Sequence, residues 1–366
     1  MRILQIYKDY PPVLGGIEGH LRDLAEGMAA RGHDVTVLVA SRGRSTRIER
    51  VSPRLTIARA GRLLHAASTP IAPAMLTIAR AARPDVVHLH FPYPPGDLAA
   101  LAAAAPLVVT YHSDIVRQRL LRQIYAPLMA RTLGRALAII ATSPNYIASS
   151  PVLARYAAKC AVVPLGVDLT RFTPDPEPSV GHEPLKLLFV GRLRYYKGLH
   201  LLLDALTRLP GAILWLAGSG PEEGRLRRQA AGLGLGERVA FLGDVPDADL
   251  PALYRAADIF ALPSQLRSEA FGIALLEALA SGLPCVSTEL GSGTSYINRH
   301  GETGLVVAPG DVGALADALR ALAGDAAMRA RMGAAARSRA ASGFGVARML
   351  DGVEEIYRTA GQVVHR

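Results

Sequence analysis

Short, nearly continuous apolar runs alternate with amphipathic stretches along this chain, and that rhythm predicts buried strands separated by helices. In the first half, 3–7, 35–40, 86–90, 107–111, 138–142 and 161–163 read as strands, with helices over 17–31 and 117–134. A second set restarts at 187–190 and continues through 213–217, 239–242, 259–262, 285–287 and 304–307, with helices over 199–208, 222–233 and 271–280. Strands apolar on both faces and joined by helices imply parallel sheets covered on both sides. Beyond Asp311 the pattern is helical to the end.

The Pro-rich stretch Thr173-Pro-Asp-Pro-Glu-Pro-Ser-Val-Gly-His-Glu-Pro184 carries no periodicity and reads as a linker. The expected division is therefore a first domain over 1–172, a linker over 173–184, a second domain over 185–342 and a terminal segment over 343–366. A chain of 366 residues is long enough for two such cores. Cys160 and Cys285 sit in strand-like runs and read as buried thiols of a reducing compartment. The chain opens on a strand rather than a cleavable apolar segment. The Ala-rich stretch 97–111 is broken by Pro106 and is shorter than the ~20 residues of a membrane span.

Net charge is +10, all of it in the first half: residues 1–170 carry 20 Lys and Arg against 10 Asp and Glu, and the remainder carries 21 against 21. Arg42, Arg44, Arg47, Arg50, Arg54, Arg59 and Arg62 form one dense group, and Arg117, Arg119 and Arg122 another. A basic face suits an anionic membrane surface. It equally describes a solvated face in an arginine-rich proteome, since the chain has only four lysines. Nucleic acid is not expected, because no basic-aromatic interleaving accompanies the arginines.

Chemistry concentrates in Glu269-Ala-Phe-Gly-Ile-Ala-Leu-Leu-Glu277. As continuous helix, eight residues rise about 12 Å, wider than the roughly 5–9.5 Å that two glycosidase carboxylates require. Such a pair suits the two ends of an elongated ligand, with amides of Phe271, Gly272 and Ile273 between them as a diphosphate cradle. The spacing alone equally describes an amphipathic helix with two ordinary glutamates.

The run Ser-Glu-Ala-Phe-Gly-Ile-Ala-Leu-Leu-Glu-Ala-Leu-Ala-Ser-Gly-Leu-Pro-Cys-Val-Ser-Thr, from Ser268 to Thr288, together with Gly191-Arg-Leu-Arg-Tyr-Tyr-Lys-Gly198, resembles retaining glycosyltransferases of family 4. The resemblance extends over essentially the whole chain. It implies the GT-B fold, an α/β architecture of two Rossmann-like, doubly wound domains facing a central cleft, with the last helix returning to the first domain. It also implies that Arg192 and Lys197 neutralise the departing diphosphate, that Glu269 meets the donor sugar and that Glu277 grips the ribose. Gly15 and Gly16 would lie over the donor, Gly218 and Val245 near the base, and His112 against the sugar. Asp114 is a weaker candidate to support His112. Each feature has a plain alternative: loop cations are commonly just solvated, Gly-Gly is commonly a tight turn, and a loop histidine commonly caps its own backbone.

His88 and His90 alternate in a strand and so share a face. No Cys/His cluster in the sequence supplies the further ligands of a metal site, so packing is expected, with His90 a candidate acceptor contact. Asp247-Ala-Asp249 reads as helix N-cap chemistry rather than a metal motif. The stretch Glu289-Leu-Gly-Ser-Gly-Thr-Ser-Tyr-Ile297 departs from the commoner Gly-Gly-x-Pro-Glu pattern and resembles a subgroup of mannosyl- and rhamnosyltransferases of bacterial O-polysaccharide that use GDP-sugars.

The expectation is a metal-independent enzyme without a resident cofactor. It would move mannose, or a 6-deoxy relative such as rhamnose, from GDP-mannose or GDP-rhamnose to a lipid-linked saccharide. Its place would be cytoplasmic, peripheral on the inner face of the cytoplasmic membrane. Alternatives are a UDP-sugar transferase of the same family, a sugar-nucleotide epimerase on the same fold, and a non-catalytic nucleotide- or membrane-binding partner.

Overall fold

The apolar runs become strands, most of them shifted by one or two residues at an end. The computed structural model describes residues 1–13, 15–66, 69–115, 119–175 and 184–362, with backbone alone at 119–122. The chain divides into two compact units, Met1–Pro164 with Ala347–Arg366, and Leu165–Val346.

The first unit contains β1 (Arg2–Ile6), β2 (Asp34–Ala40), β3 (Arg47–Ser52), β4 (Leu55–Ala60), β5 (Leu64–Ala66), β6 (Thr69–Ile71), β7 (Val86–Phe91), β8 (Leu107–Tyr111), β9 (Ala138–Ala141) and β10 (Cys160–Val162). Its main sheet runs β10-β9-β8-β7-β1-β2-β4-β3. Every pairing in it is parallel except β3 with β4. Chain order reverses between β1 and β7, which makes a topological switch point there. Buried Ile3, Leu4, Ile6, Val37, Leu38, Val87, Leu89, Val108 and Val109 form the interior of this sheet.

The second unit contains β11 (Leu185–Val190), β12 (Ala212–Ala217), β13 (Val239–Gly243), β14 (Ile259–Leu262), β15 (Cys285–Thr288) and β16 (Gly304–Val307). Its order is β13-β12-β11-β14-β15-β16, parallel throughout. The switch point lies between β11 and β14. Leu187, Leu188, Phe189, Leu214, Phe260 and Val286 pack under the helices Leu199–Leu206 and Ile273–Ala280.

Three expectations need correction. The boundary falls at 164/165 rather than 172/173, because residues 165–172 pack with the second unit. There the Val167 amide donates to Phe344 O (2.8 Å), and Arg337 donates to the carbonyls of Leu169 (3.1 Å) and Phe172 (2.8 Å). Most of the expected linker, 176–183, lies outside the described residues. Strands β3 to β6 had no counterpart in the apolar pattern: β3 is an edge strand whose residues Arg47–Val51 are all exposed, so no buried face marks it. The expected helix 271–280 starts only at Ile273, because Gly272 is left-handed (φ 93°, ψ 67°) and caps it.

The terminal helix Val346–Gln362 belongs to the first unit. It is tied there by Arg31, which pairs with Asp351 (2.7 Å) and Glu354 (2.7 Å). The expected helix 117–134 is Arg119–Arg135, and Arg117 lies outside the described residues. Both cysteines are free thiols, Cys285 buried and Cys160 partly so. Among the described residues no helix is long and apolar enough to cross a membrane.

Candidate active site

In open parallel sheets, ligands bind beyond the carboxyl ends of the strands at the switch point. In the second unit that place is built by the loops after β11 and β14. Gly191 follows β11 with φ +142°, and Gly218 follows β12 with φ +126°. A Cβ on Gly218 would lie 2.2 Å from Gly191 O, so glycine is what lets these two loops touch. Arg192, next in the chain, is exposed.

The short turn Tyr195–Lys197 then brings Lys197 back under the site. Its ammonium donates to Glu269 Oε2, which also accepts from Ser264 Oγ at 3.0 Å. Lys197 and Glu269 are 8% and 7% exposed, so this is a buried ion pair. Burial pushes the Lys197 ammonium down, but Glu269, through charge and hydrogen bond, outweighs that and holds it above its ordinary value. The lysine therefore stays cationic beside the strand ends.

Glu269 does not lie on the helix. It sits in the preceding loop, pinned where Ser292 Oγ donates to its carbonyl (2.7 Å) and where the Gly293 amide donates to Ala270 O (2.7 Å). The 12 Å helical spacing to Glu277 therefore does not apply. The first-turn amides begin at Ile273, with Gly272 O accepting from Leu275 and Leu276. Phe271 precedes the helix, and its buried ring meets Phe344 edge-on at 6.4 Å.

Glu277 is on the helix. Tyr254 Oη donates to its Oε2 at 2.8 Å. Burial, then the Glu277 charge and hydrogen bond, push the Tyr254 phenol well up, which keeps it a donor. Val245, in the loop after β13, packs half-buried against the core. The Asp247-Ala-Asp249 expectation is corrected: Asp249 makes no side-chain cap bond, and Asp247 pairs with Arg171 at 3.0 Å.

The first unit's switch point gathers histidines. β7 and β8 place His90 opposite Thr110, and the His112 amide continues the ladder to Phe91 O at 2.9 Å. His88, His90, Thr110 and His112 thus share one face, stacked in sequence: His88 on His90 at 4.5 Å between ring centroids and His90 on His112 at 5.2 Å. His88 is fixed between Tyr357 Oη (2.5 Å) and Thr110 Oγ1 (2.6 Å). His90 Nδ1 meets His112 Nε2 at 2.9 Å. From the helix Gly16–Ala30, His20 reaches in at 5.6 Å from each of the rings of His90 and His112. Burial lowers all four, His20 to about 4 and His88 to about 3, so they are neutral imidazoles.

This corrects the expectation that no histidine cluster exists. Nitrogens of His20, His90 and His112 lie within 4.8 Å of one another, brought together by a helix and two strand ends far apart in sequence. His90 is fully buried, which separates it from the role of a direct acceptor contact. Asp114 spends its Oδ1 on Tyr111 (2.9 Å) and Ser150 (2.7 Å), anchoring its own loop. Gly15 is extended, Gly16 opens the helix, and the Glu18 carboxylate folds back to 2.1 Å from where a Gly15 Cβ would stand.

Sequence reasoning missed His20, Tyr254, Ser264 and Ser292. Only Ser264, two residues past an apolar strand run, carried a positional signal.

Residues 14–171 match the family described as Glycosyltransferase Family 4, and residues 174–339 match Glycosyl transferases group 1. The chain is 43% identical over 330 residues to D-rhamnosyltransferase WbpZ of Pseudomonas aeruginosa, covering 87% of this chain and 86% of that protein. It is 38% identical over 372 residues to O-antigen chain mannosyltransferase C of Escherichia coli, covering 98% of each. Among solved structures it resembles sucrose-phosphate synthase from Thermosynechococcus elongatus, with a TM-score of 0.84 at 24% identity over 98% of both chains. The fold is GT-B, and the chain belongs to glycosyltransferase family 4: it is a glycosyltransferase.

Proposed function

We propose that this enzyme transfers mannose, or a 6-deoxy relative such as rhamnose, from a GDP-sugar to a lipid-linked saccharide, with retention, during assembly of an O-antigen-type polysaccharide. The buried Lys197–Glu269 pair, whose lysine shares the loop after β11 with Arg192 at the switch point of the second unit, carries this reading. The likeness to a rhamnosyl- and a mannosyltransferase favours the sugar class.

In this reading Lys197 and Arg192 meet the diphosphate, whose charge grows as the sugar leaves. Glu269 orients the sugar and Glu277 takes the ribose hydroxyls. Gly218 and Val245 line the base, and the amides after Gly272 face the phosphates. The acceptor oxygen bonds to the anomeric carbon on the face from which the phosphate oxygen departs, and the departing phosphate takes the acceptor proton. No step needs a metal.

The lipid-linked acceptor places the enzyme at an anionic membrane surface on the cytoplasmic side. Edge strand β3 supports that role, since Ile48 (68% exposed) and Val51 (52% exposed) stand among Arg47 and Arg50.

Thermal unfolding in EDTA with GDP, UDP, ADP and dTDP tests the donor. At ~100 times its dissociation constant a ligand adds ~2.7 kcal/mol. A shift selective for GDP is expected. A shift selective for UDP overturns the donor, and no shift with any of the four overturns the site.

A further inference from the structure

The first unit holds polar atoms that transfer chemistry does not account for. Both ring nitrogens of His20 are buried without a hydrogen-bond partner. Buried polar atoms of this kind call for a specific explanation, such as a bound water or ion. They stand beside the 2.9 Å contact of His90 Nδ1 with His112 Nε2, at the sheet's switch point. We infer that His20, His90 and His112 form a binding site for one divalent transition-metal cation of the zinc type.

The donor geometry carries the inference. The donor set is three imidazoles from three separate elements, and one nitrogen of each lies within 4.8 Å of the others. Zn²⁺ at 2.0–2.1 Å from tetrahedral ligands needs nitrogens about 3.4 Å apart. The His90–His112 pair is already within about half an ångström of that value, and rotation of the His20 ring closes the remainder. A cation there takes a lone pair from each ring, and the proton between them moves to the other nitrogen of the ring that carried it.

The chemistry selects the metal class. An all-imidazole set suits zinc, copper, nickel and cobalt and is poor for magnesium, calcium or manganese, which take oxygen ligands. Three histidines leave a fourth position for water.

Metal binding is measured apart from activity. The full chain, stripped with EDTA and dialysed, is titrated with Co²⁺ alone and, separately, with Zn²⁺ alone. The expected result is one equivalent of each, visible Co²⁺ bands of a tetrahedral imidazole site, and no competition from a large excess of Mg²⁺. His20→Asn weakens binding by at least about tenfold, while His65→Asn, in the exposed hairpin of β5 and β6, leaves it unchanged. Substoichiometric or octahedral Co²⁺ in the natural chain overturns the inference, whatever becomes of the variant. So does unaltered affinity in folded His20→Asn.

Discussion

Lys197 donates to Glu269 across 72 residues of sequence, and both partners are almost wholly removed from solvent. Breaking such a pair from one side leaves an uncompensated buried charge, a loss of about 3–5 kcal/mol. Lys197→Met and Glu269→Gln should therefore each lower stability as well as transfer. The double variant Lys197→Met/Glu269→Gln should be more stable than either, yet inactive. Denaturant unfolding of the three variants reads the coupling, and additive losses would contradict a paired role.

Tyr254→Phe removes the donor to Glu277 while keeping the ring in the core. If Glu277 holds the ribose, the donor KM rises about fivefold to tenfold, in line with a net loss of ~1–1.5 kcal/mol, and kcat changes little. Steady-state kinetics with varied donor checks this. A fall in kcat at constant KM would place Glu277 in the chemical step instead.

Gly218→Ala puts a methyl 2.2 Å from Gly191 O at φ +126°, forcing the β11 and β12 loops apart. Nucleotide affinity and melting temperature should both fall. Gly224→Ala is the control, because it lies in the helix Glu223–Gly232 with its nearest neighbour 3.7 Å away. It should be neutral or stabilising by up to about 1 kcal/mol. Calorimetric melting with and without nucleotide separates the two cases.

Much of the architecture was legible because parallel strands buried on both faces leave uninterrupted apolar runs, as at 107–111 and 259–262. The exposed strand β3 leaves none, and its partner β4 was lost with it. Arg192, Lys197, Glu269 and Glu277 were legible as a motif, but their geometry was not. The Gly272 turn takes Glu269 off the helix, and only a three-dimensional fold shows Ser264 and Ser292 holding it. The histidine cluster was illegible for a related reason. His20 faces inward from a helix that could have turned any of its sides to the sheet, and nothing local links residue 20 to residues 90 and 112.

Asp97 gives a pH signature independent of the site. Burial raises its carboxyl to about 7, against the hydrogen bond from Tyr125 that pulls it down. The folded state then holds the proton more tightly than the unfolded chain. The stability gained is full below the ordinary carboxylate range and is lost as pH rises through about 7. From pH 5 to 8 the natural chain should lose about 2–3 kcal/mol relative to Asp97→Asn. Urea unfolding across that range checks it, and a pH-independent difference would refute it.

The central claim is that fixed cations of the second unit, without a metal, activate a GDP-sugar. The most direct measurement is transfer from GDP-mannose and from GDP-rhamnose to a polyprenyl-diphosphate-linked saccharide in EDTA, with the anomeric configuration of the product read by NMR. The account predicts turnover in chelator with retained configuration, reduced at least about a hundredfold in folded Arg192→Ala. Inversion, a strict metal requirement, or near-natural turnover in Arg192→Ala would contradict it.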